Sequence, residues 1–341
     1  MTDVVEETVL DVLSLDAAWY ADPAIHARER DEVFLRSWQF VAAAASLAAP
    51  GDYRALRIAD RSVFVRRGHD GVLRGFRNVC RHRGSRLLDA DAGRCDAVRC
   101  PYHGWTYNDR GALIATPWFD EASPFDLARW PLDTVTVETW RGLVFVAIQP
   151  EQSLAEQLGD LPAALADTPI ESFREMASET MSAPLNWKTY LDQFNEYYHV
   201  PLVHRPTQGI GLEQYTALPA RNMTCMTAPS GSAFYGGKWL WGWPNWTLSV
   251  FAGGMKISRV NPVAADAIDV HFHYFFADTS DAEAQRRVIA ATKTIFDEDV
   301  RACARVQVNL GAGDYRPGPL HPRHEQATAY FQARIREALN G

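Results

Sequence analysis

The chain has 341 residues, 47% of them apolar and 22% charged, with a formal net charge of −8. That composition describes a globular protein of two domains, or of one with a large insertion, whose core needs no staples, and the acidic balance excludes a general nucleic-acid binder, which needs a basic face. No segment reaches the ~18 apolar residues of a membrane span, the N-terminal MTDVVEETVLDVLSLD lacks the basic start of a secretory signal, and five cysteines are an odd count that does not read as a disulfide framework. A cytoplasmic protein is expected, in which thiols beside histidines read first as metal ligands.

In chain order, Asp22-Pro23 offers an N-cap and a preset first residue for a helix running to about Arg36. From Trp38 to about Pro150, short runs such as SVFVRR, AVRC and GLVFVAI are divided by Gly, Asp and Asn turns, the texture of a small antiparallel β domain. Helical spacing returns over Ser153–Leu165 and over Trp187–His199. Strands are expected near Leu248–Val250, Lys256–Val260 and Ile268–Phe276, followed by a long helix at about Asp281–Leu310 and a shorter one at about His324–Leu339. The expected fold is α+β. An all-β domain, residues 38–150, is inserted in a larger domain, residues 1–37 and 151–341, whose antiparallel sheet is flanked by helices.

Inside the β stretch the sequence reads NVCRHRGSRLL and then CDAVRCPYHGWTYND, so that Cys80-x-His82 and Cys100-x-x-His103 lie 17 residues apart. Two thiolates and two imidazoles hold either zinc or a two-iron cluster in which the cysteines bind one iron and the histidines the other. Zinc fingers usually group Cys with Cys and His with His, the latter on a helix. Here each half is mixed and lies among strands, which favours a [2Fe–2S] site. Gly84 and Gly104 follow the ligand turns, where the absence of a side chain permits close backbone approach to an inorganic sulfur. These residues resemble the Rieske domain of ring-hydroxylating and demethylating oxygenases, which carry the wording CxHRG…CPYHGW, and the resemblance runs from about Trp19 to about Leu339. Cys95 has no part in that pattern and reads as a loop or core thiol. Arg81, Arg83, Arg86, Arg94 and Arg99 surround the cluster loops, either as solvated charge or as a docking patch for an acidic electron donor.

The second constellation lies in NWKTYLDQFNEYYHVPLVHRPT. Trp187, Tyr190, Leu191, Phe194, Tyr197 and Tyr198 fall on one helical stripe, and Asp192, Asn195, Glu196 and His199 on the other side. Pro201 is expected to end the helix, letting His204 swing back beside His199. A buried polar stripe needs partners, and a metal between the two histidines is such a partner. Two His and one carboxylate with open positions opposite are the signature of Fe(II) oxygenases. In TIFDEDVRACARVQVNL the candidate acids are Asp297, Glu298 and Asp299. Ile295, Phe296, Val300, Cys303, Val306 and Leu310 form an apolar arc that contains Asp299, whereas Asp297 heads a surface line with Arg301 and Arg305. Asp299 is therefore expected as the third ligand, against the alternative of a carboxylate salt-bridged in the core. The E-D-V…V-Q wording resembles the ligand segment of the family's last long helix.

The resemblance implies more. The family's acid three residues before the first iron histidine, usually Asp, links a Rieske histidine of one subunit to an iron histidine of the next in a ring-shaped trimer. Here that position is Glu196, a departure by one methylene that resembles the branch oxidising quaternary ammonium compounds (choline monooxygenase, glycine betaine and carnitine oxygenases). The carry-over makes Glu196 the inter-site electron bridge, with His103 and His199 as partners. Its alternative role is to orient His199. Asn195, on the same polar face, is grouped with it as a candidate catalytic residue. The implied cycle takes electrons from a separate NAD(P)H-dependent reductase, directly or through a ferredoxin, because the chain has no GxGxxG fingerprint, and spends them with O2 on a small organic substrate.

The substrate cavity is expected around GSAFYGGKWLWGWPNWTLSVF, with Trp239, Trp241, Phe251 and His273 as candidates. Trp239, Trp241, Trp243 and Trp246 suit either an aromatic cage for a quaternary ammonium head or plain core packing. His271 and His273 share a strand face as pocket or surface residues rather than ligands. Three readings stand: a mono-oxygenating or demethylating enzyme acting on a quaternary or tertiary amine, an aromatic-ring dihydroxylase α subunit, and a Rieske electron carrier without chemistry of its own.

Overall fold

The computed structural model describes residues 12–119, 125–204, 211–229, 237–277 and 281–340. Two short helices, α1 (Ala18–Ala21) and α2 (Pro23–Arg28), open the chain, and the Asp22 carboxylate caps α2 by accepting from Ala24 N at 2.7 Å. The expected helix to Arg36 is not α-helical throughout: Glu29–Phe34 is wound as a π-helix. That wider turn carries Glu29, fully buried, which accepts from Trp187 Nε1 at 2.8 Å and pairs with the buried Lys188.

Ten strands follow: β1 (Gln39–Ala43), β2 (Asp52–Ile58), β3 (Arg61–Arg67), β4 (Leu73–Arg77), β5 (Ala92–Arg94), β6 (Val98–Arg99), β7 (Thr106–Tyr107), β8 (Leu113–Ala115), β9 (Thr134–Trp140) and β10 (Leu143–Ala147). Seven form an antiparallel sheet in the order β1-β10-β9-β4-β3-β2-β5, and β6-β7-β8 make a small second sheet. Apolar at every position, β10 must be covered on both faces. Val144 and Val146 join the core of Val41, Val63 and Val65, while Phe145 joins Trp38, Phe40 and Trp246.

The expected helix over Ser153–Leu165 is two pieces, α3 (Leu154–Leu158), with a Ser153–Glu156 capping box, and α4 (Leu161–Ala164). Gly159 between them takes φ +56°, a left-handed turn that an α-helix cannot contain. A second antiparallel sheet is then built from β11 (Arg174–Ala183), β12 (Thr216–Ala220), β13 (Met223–Ala228), β14 (Gly237–Gly242), β15 (Trp246–Phe251), β16 (Gly254–Ala264) and β17 (Ala267–Phe276), in the order β11-β17-β16-β15-β14-β13-β12. The strands expected near 248–250, 256–260 and 268–276 are parts of β15, β16 and β17. One face of this sheet packs under α5 (Trp187–Phe194), α7 (Ala282–Ala312) and α8 (Gln326–Asn340), through Val270, Phe272, Tyr274, Phe296 and Phe331. The α+β expectation therefore holds. Among the described residues, no helix is long and apolar enough to cross a membrane.

The helix expected over Trp187–His199 stops at Phe194. Asn195 ends it: its Nδ2 donates to Leu191 O at 2.8 Å, and its Oδ1 accepts from Thr224 Oγ1 at 2.6 Å. The Leu191 carbonyl accepts from both the backbone N–H of Asn195, at 3.0 Å, and its side chain, and Glu196 N turns to Gln193 O rather than continuing the α-helical ladder. Pro201 does not terminate this helix; it lies in the first turn of the four-residue α6 (Val200–Val203).

Candidate metal centres and substrate cavity

The two cluster loops are built alike. Cys80 N donates to Ser85 O at 2.8 Å and Gly84 N to Cys80 O at 3.0 Å; Cys100 N donates to Trp105 O at 2.8 Å and Gly104 N to Cys100 O at 3.0 Å. Each turn closes on a glycine in the left-handed region, φ +73° at Gly84 and +72° at Gly104. The two loops thereby face each other. The thiols of Cys80 and Cys100 lie within hydrogen-bonding reach of one another, and the His82 and His103 rings are 4.6 Å apart. Burial would raise the Cys100 thiol, but N–H groups of Tyr102 and His103 directed at its sulfur outweigh it and bring the pKa below the ordinary value. The Tyr107 hydroxyl, 3.4 Å from Cys80 Sγ, also accepts from Arg81 N. His82 Nδ1 is buried and, among the described residues, has no hydrogen-bond partner. An orphaned imidazole nitrogen beside two opposed thiols and a second imidazole fits an iron–sulfur site of mixed cysteine and histidine ligation.

All five loop arginines are exposed, but Arg81 is paired with Asp133, Arg94 with Asp52, and Arg83 lies over the Tyr102 ring. Much of that positive charge is thus already matched within the chain. Cys95 is half-buried against the loop core, as read from the sequence.

His199 and His204 bracket α6, whose single turn sets their rings 5.2 Å apart. Opposite them on α7 stands Asp299, 7% exposed, inside the apolar arc with Phe296, Cys303 and Leu310; Val306, assigned to that arc, is exposed. Asp299 Oδ1 is 3.0 Å from His204 Nε2 and 3.8 Å from His199 Nε2, and one ligand atom from each of the three residues fits within 4.8 Å. Three donors converging in this way, two nitrogens and a carboxylate oxygen, fit a mononuclear Fe(II) set with open positions.

Asp297 points to solvent as expected. Glu298 was passed over in the sequence, yet its Oε2 lies 2.7 Å from His204 Nδ1. Burial alone would lower the His204 pKa; the hydrogen bonds to Asp299 and Glu298 reverse that and raise it. Gln193 is the other residue missed: its Nε2 lies 2.7 Å from His199 Nε2 and donates to Asp299 Oδ1 at 2.9 Å. Glu196 and His199 do not share a helix, but the loop still places Glu196 Oε1 2.5 Å from His199 Nδ1. Asn195, grouped with Glu196 as a catalytic candidate, does not reach this cluster; it is the buried helix cap described above.

A cavity of about 140 Å³ opens beside these residues. Trp239 and Phe251 line it, with Tyr197, Tyr215, Phe272 and Phe296. Trp241 and His273 do not. Trp241 is fully buried against Phe331 at 5.2 Å, its Nε1 donating to Pro244 O at 3.0 Å. His273 lies on the opposite face of β17, 2.7 Å from Glu175. Trp243 and Trp246 are also core residues, so a four-tryptophan cage does not form. His271, on the same strand face as His273, lies 2.9 Å from Thr180 Oγ1, away from the metal cluster. Positions 231–236 of the expected pocket stretch lie outside the described residues.

A cluster-type β module joined to a sheet-and-helix unit, with two histidines and a carboxylate set at a cavity, defines a two-centre iron oxygenase. The Rieske [2Fe-2S] domain model matches residues 37–134, and the model of the ring hydroxylating alpha subunit catalytic domain matches 170–223 and 215–341. The chain belongs to the family of Rieske ring-hydroxylating oxygenase α subunits, O2-dependent oxidoreductases whose cofactors are a [2Fe–2S] cluster and a mononuclear iron and whose electrons come from a reductase partner. It is 28% identical over 320 residues to the carnitine monooxygenase oxygenase subunit of Escherichia coli, covering 89% of this chain and 86% of that one. It is 26% identical to the chloroplastic choline monooxygenase of Arabidopsis thaliana, over 90% and 80% of the two chains. The crystal structure of the quaternary ammonium Rieske monooxygenase CntA with L-carnitine superimposes with a TM-score of 0.87 at 26% identity, over 96% of each chain. Naphthalene 1,2-dioxygenase from Rhodococcus sp., at 19% identity and a TM-score of 0.80, shares the fold.

Proposed function

We propose that the chain is the oxygenase subunit of a system that hydroxylates a quaternary or tertiary amine next to nitrogen, releasing the alkyl group. The observation that carries this reading is the cavity wall. Tyr197 and Tyr215 stack 5.0 Å apart, with Trp239 6.3 Å beyond, and these rings line the same cavity as the His199–His204–Asp299 set. Such ring faces hold an alkylated ammonium by cation–π attraction. The relatives named for carnitine and choline support the same class.

In this reading Cys80, His82, Cys100 and His103 hold the cluster, and His199, His204 and Asp299 hold the iron. When bound, the iron supplies O2 activation. The protein's own residues do the rest. Glu298 and Glu196 each accept from the outer nitrogen of one iron histidine and fix its tautomer. The aromatic wall excludes water and presents the alkyl group to the metal side. Glu196 sits beside the exposed Tyr198, 49% accessible, where its carboxylate can accept from His103 of a second copy. In this reading the working unit is an oligomer, a trimer in the family's manner, supplied directly by its reductase or through a ferredoxin. The unit boundaries are taken as 38–150 for the cluster domain and the remainder for the catalytic domain.

The test is reductase-driven turnover with trimethylammonium substrates, reading formaldehyde or amine release, on protein holding about three irons per chain. Full iron loading with turnover of aromatic rings alone would overturn the amine reading in favour of a dihydroxylase.

A further inference from the structure

Beside Trp239 on the sheet face that lines the cavity lies a group of polar side chains. On one sheet face, β15 and β16 bring Ser249 opposite Lys256 and Thr247 opposite Ser258, and all four line the cavity. The two hydroxyls of Thr247 and Ser258 satisfy each other at 2.5 Å. Lys256 has no such partner: among the described residues its ammonium makes no ion pair or hydrogen bond, and its nearest defined contact is the Phe272 ring, 5.4 Å away. Desolvation brings its pKa down to about 8, only partly offset by the more distant Asp299. Asp299 cannot serve as the counter-ion if it is committed to the metal. An enclosed ammonium without a counter-ion is costly, and a ring face repays little of that cost.

We propose that Lys256 is the anion-binding residue of the cavity, so that the preferred substrate carries a carboxylate as well as an alkylated nitrogen. Trp239, Ser249 and Lys256 are successive cross-strand neighbours on β14, β15 and β16, so a zwitterion can lie along this row, its cationic head against Trp239 with Tyr197 and Tyr215 nearby, and its carboxylate on the Ser249 hydroxyl and Lys256. A cationic amine lacking the acid would instead leave Lys256 unpaired and add a second positive charge. The proposal rests on the oxygenase reading of this cavity and narrows its substrate.

Glycine betaine and choline share a trimethylammonium head and differ in carboxylate against hydroxymethyl. Binding of each to the iron-loaded wild type, Lys256→Met and Lys256→Arg, by calorimetry, is the direct test, with benzoate as a carboxylate that has no nitrogen. Cluster absorption and melting temperature report that each variant is folded. Lys256→Met should weaken glycine betaine roughly 10- to 100-fold, the loss of a charge-assisted hydrogen bond, and should not weaken choline, which gains from the removal of a like charge, while Lys256→Arg retains most of the glycine betaine affinity. Equal losses for the two ligands, or no loss for glycine betaine, would overturn the proposal, as would a wild type that binds no carboxylate probe. Benzoate binding that disappears in Lys256→Met, without binding of either ammonium compound, would uphold the anion site and overturn the amine reading instead.

Discussion

Glu298 and His204 are joined at 2.7 Å through the ring nitrogen turned away from Asp299. The imidazole is therefore gripped at both ends, Nδ1 by one acid and Nε2 facing the next acid in sequence. Outer partners of this kind are worth about 10- to 100-fold in metal affinity. Glu298→Ala should lower mononuclear-iron occupancy by that order while leaving the [2Fe–2S] absorption intact; Glu298→Gln, which can still accept, should fall between. Metal titration of the apo mononuclear site reads the difference, and unchanged affinity in the alanine variant would show that the contact is incidental.

Glu196 makes the corresponding contact to His199, at 2.5 Å, but unlike Glu298 it stands next to the exposed Tyr198. If it serves as the link between centres, Glu196→Gln should keep both sites loaded and nearly abolish turnover. Single-turnover reoxidation of the prereduced cluster, measured with substrate and O2, should slow in step. Normal turnover with full loading removes the bridge.

The tryptophans of β14 should separate cleanly. Trp239 lines the cavity and Trp241 is core. Trp239→Leu should raise KM for a quaternary amine by roughly 3- to 30-fold, from ~0.5–2 kcal/mol of cation–π contact, with little change in melting temperature. Trp241→Ala should instead cost about 3–5 kcal/mol of stability, read by urea denaturation.

Asp192 gives a pH signature of stability. Burial pushes its carboxyl up to about 6, although Tyr20 and Gln332 donate to it and Lys188 lies near. A folded pKa above the unfolded value of 3.8 means that the folded state holds the proton more tightly. Its contribution is thus fully present below the unfolded pKa and is lost as pH rises through about 6. From below pH ~3 to above pH ~7 wild type should lose about 3 kcal/mol relative to Asp192→Asn, about 2 kcal/mol of it between pH ~4 and ~6. Parallel stability–pH profiles for the two proteins would refute the assignment.

What the sequence made legible was chemistry carried by neighbours in the chain. Cys80 with His82, Cys100 with His103, and His199 with His204 each sit on one short loop, so spacing alone brings them together. Asp299 was legible because a charge inside an apolar arc has a rotational address. Glu298 stands ~100° from it, at the margin of that arc, where burial and exposure read alike. Gln193 is separated from His199 by a break in the helix, and the break itself was hidden because Asn195 fits helical spacing while its amide takes the Leu191 carbonyl. Strand alternation put His271 and His273 on one face correctly, but which face covers the cavity depends on the helices packed above Phe272, information that lies far along the chain. The same limit mixed Trp241 with Trp239: they share a face, and only the position along it separates core from cavity.

Glu29 and Lys188, an ion pair buried in the larger unit, are 159 positions apart, and between them the chain makes its whole excursion through the cluster module. The module's first and last strands, β1 and β10, are neighbours, with Gln39 opposite Val146. Once that pair has zipped, the path still to be closed between Glu29 and Lys188 shrinks to roughly a third, a saving of about 1 kcal/mol in closure entropy. The module that stores electrons also works as a clip, bringing the N-terminal segment within reach of the helix that carries Trp187, so that damage to the β1–β10 seam should be felt in the assembly of the iron pocket as well as in the cluster.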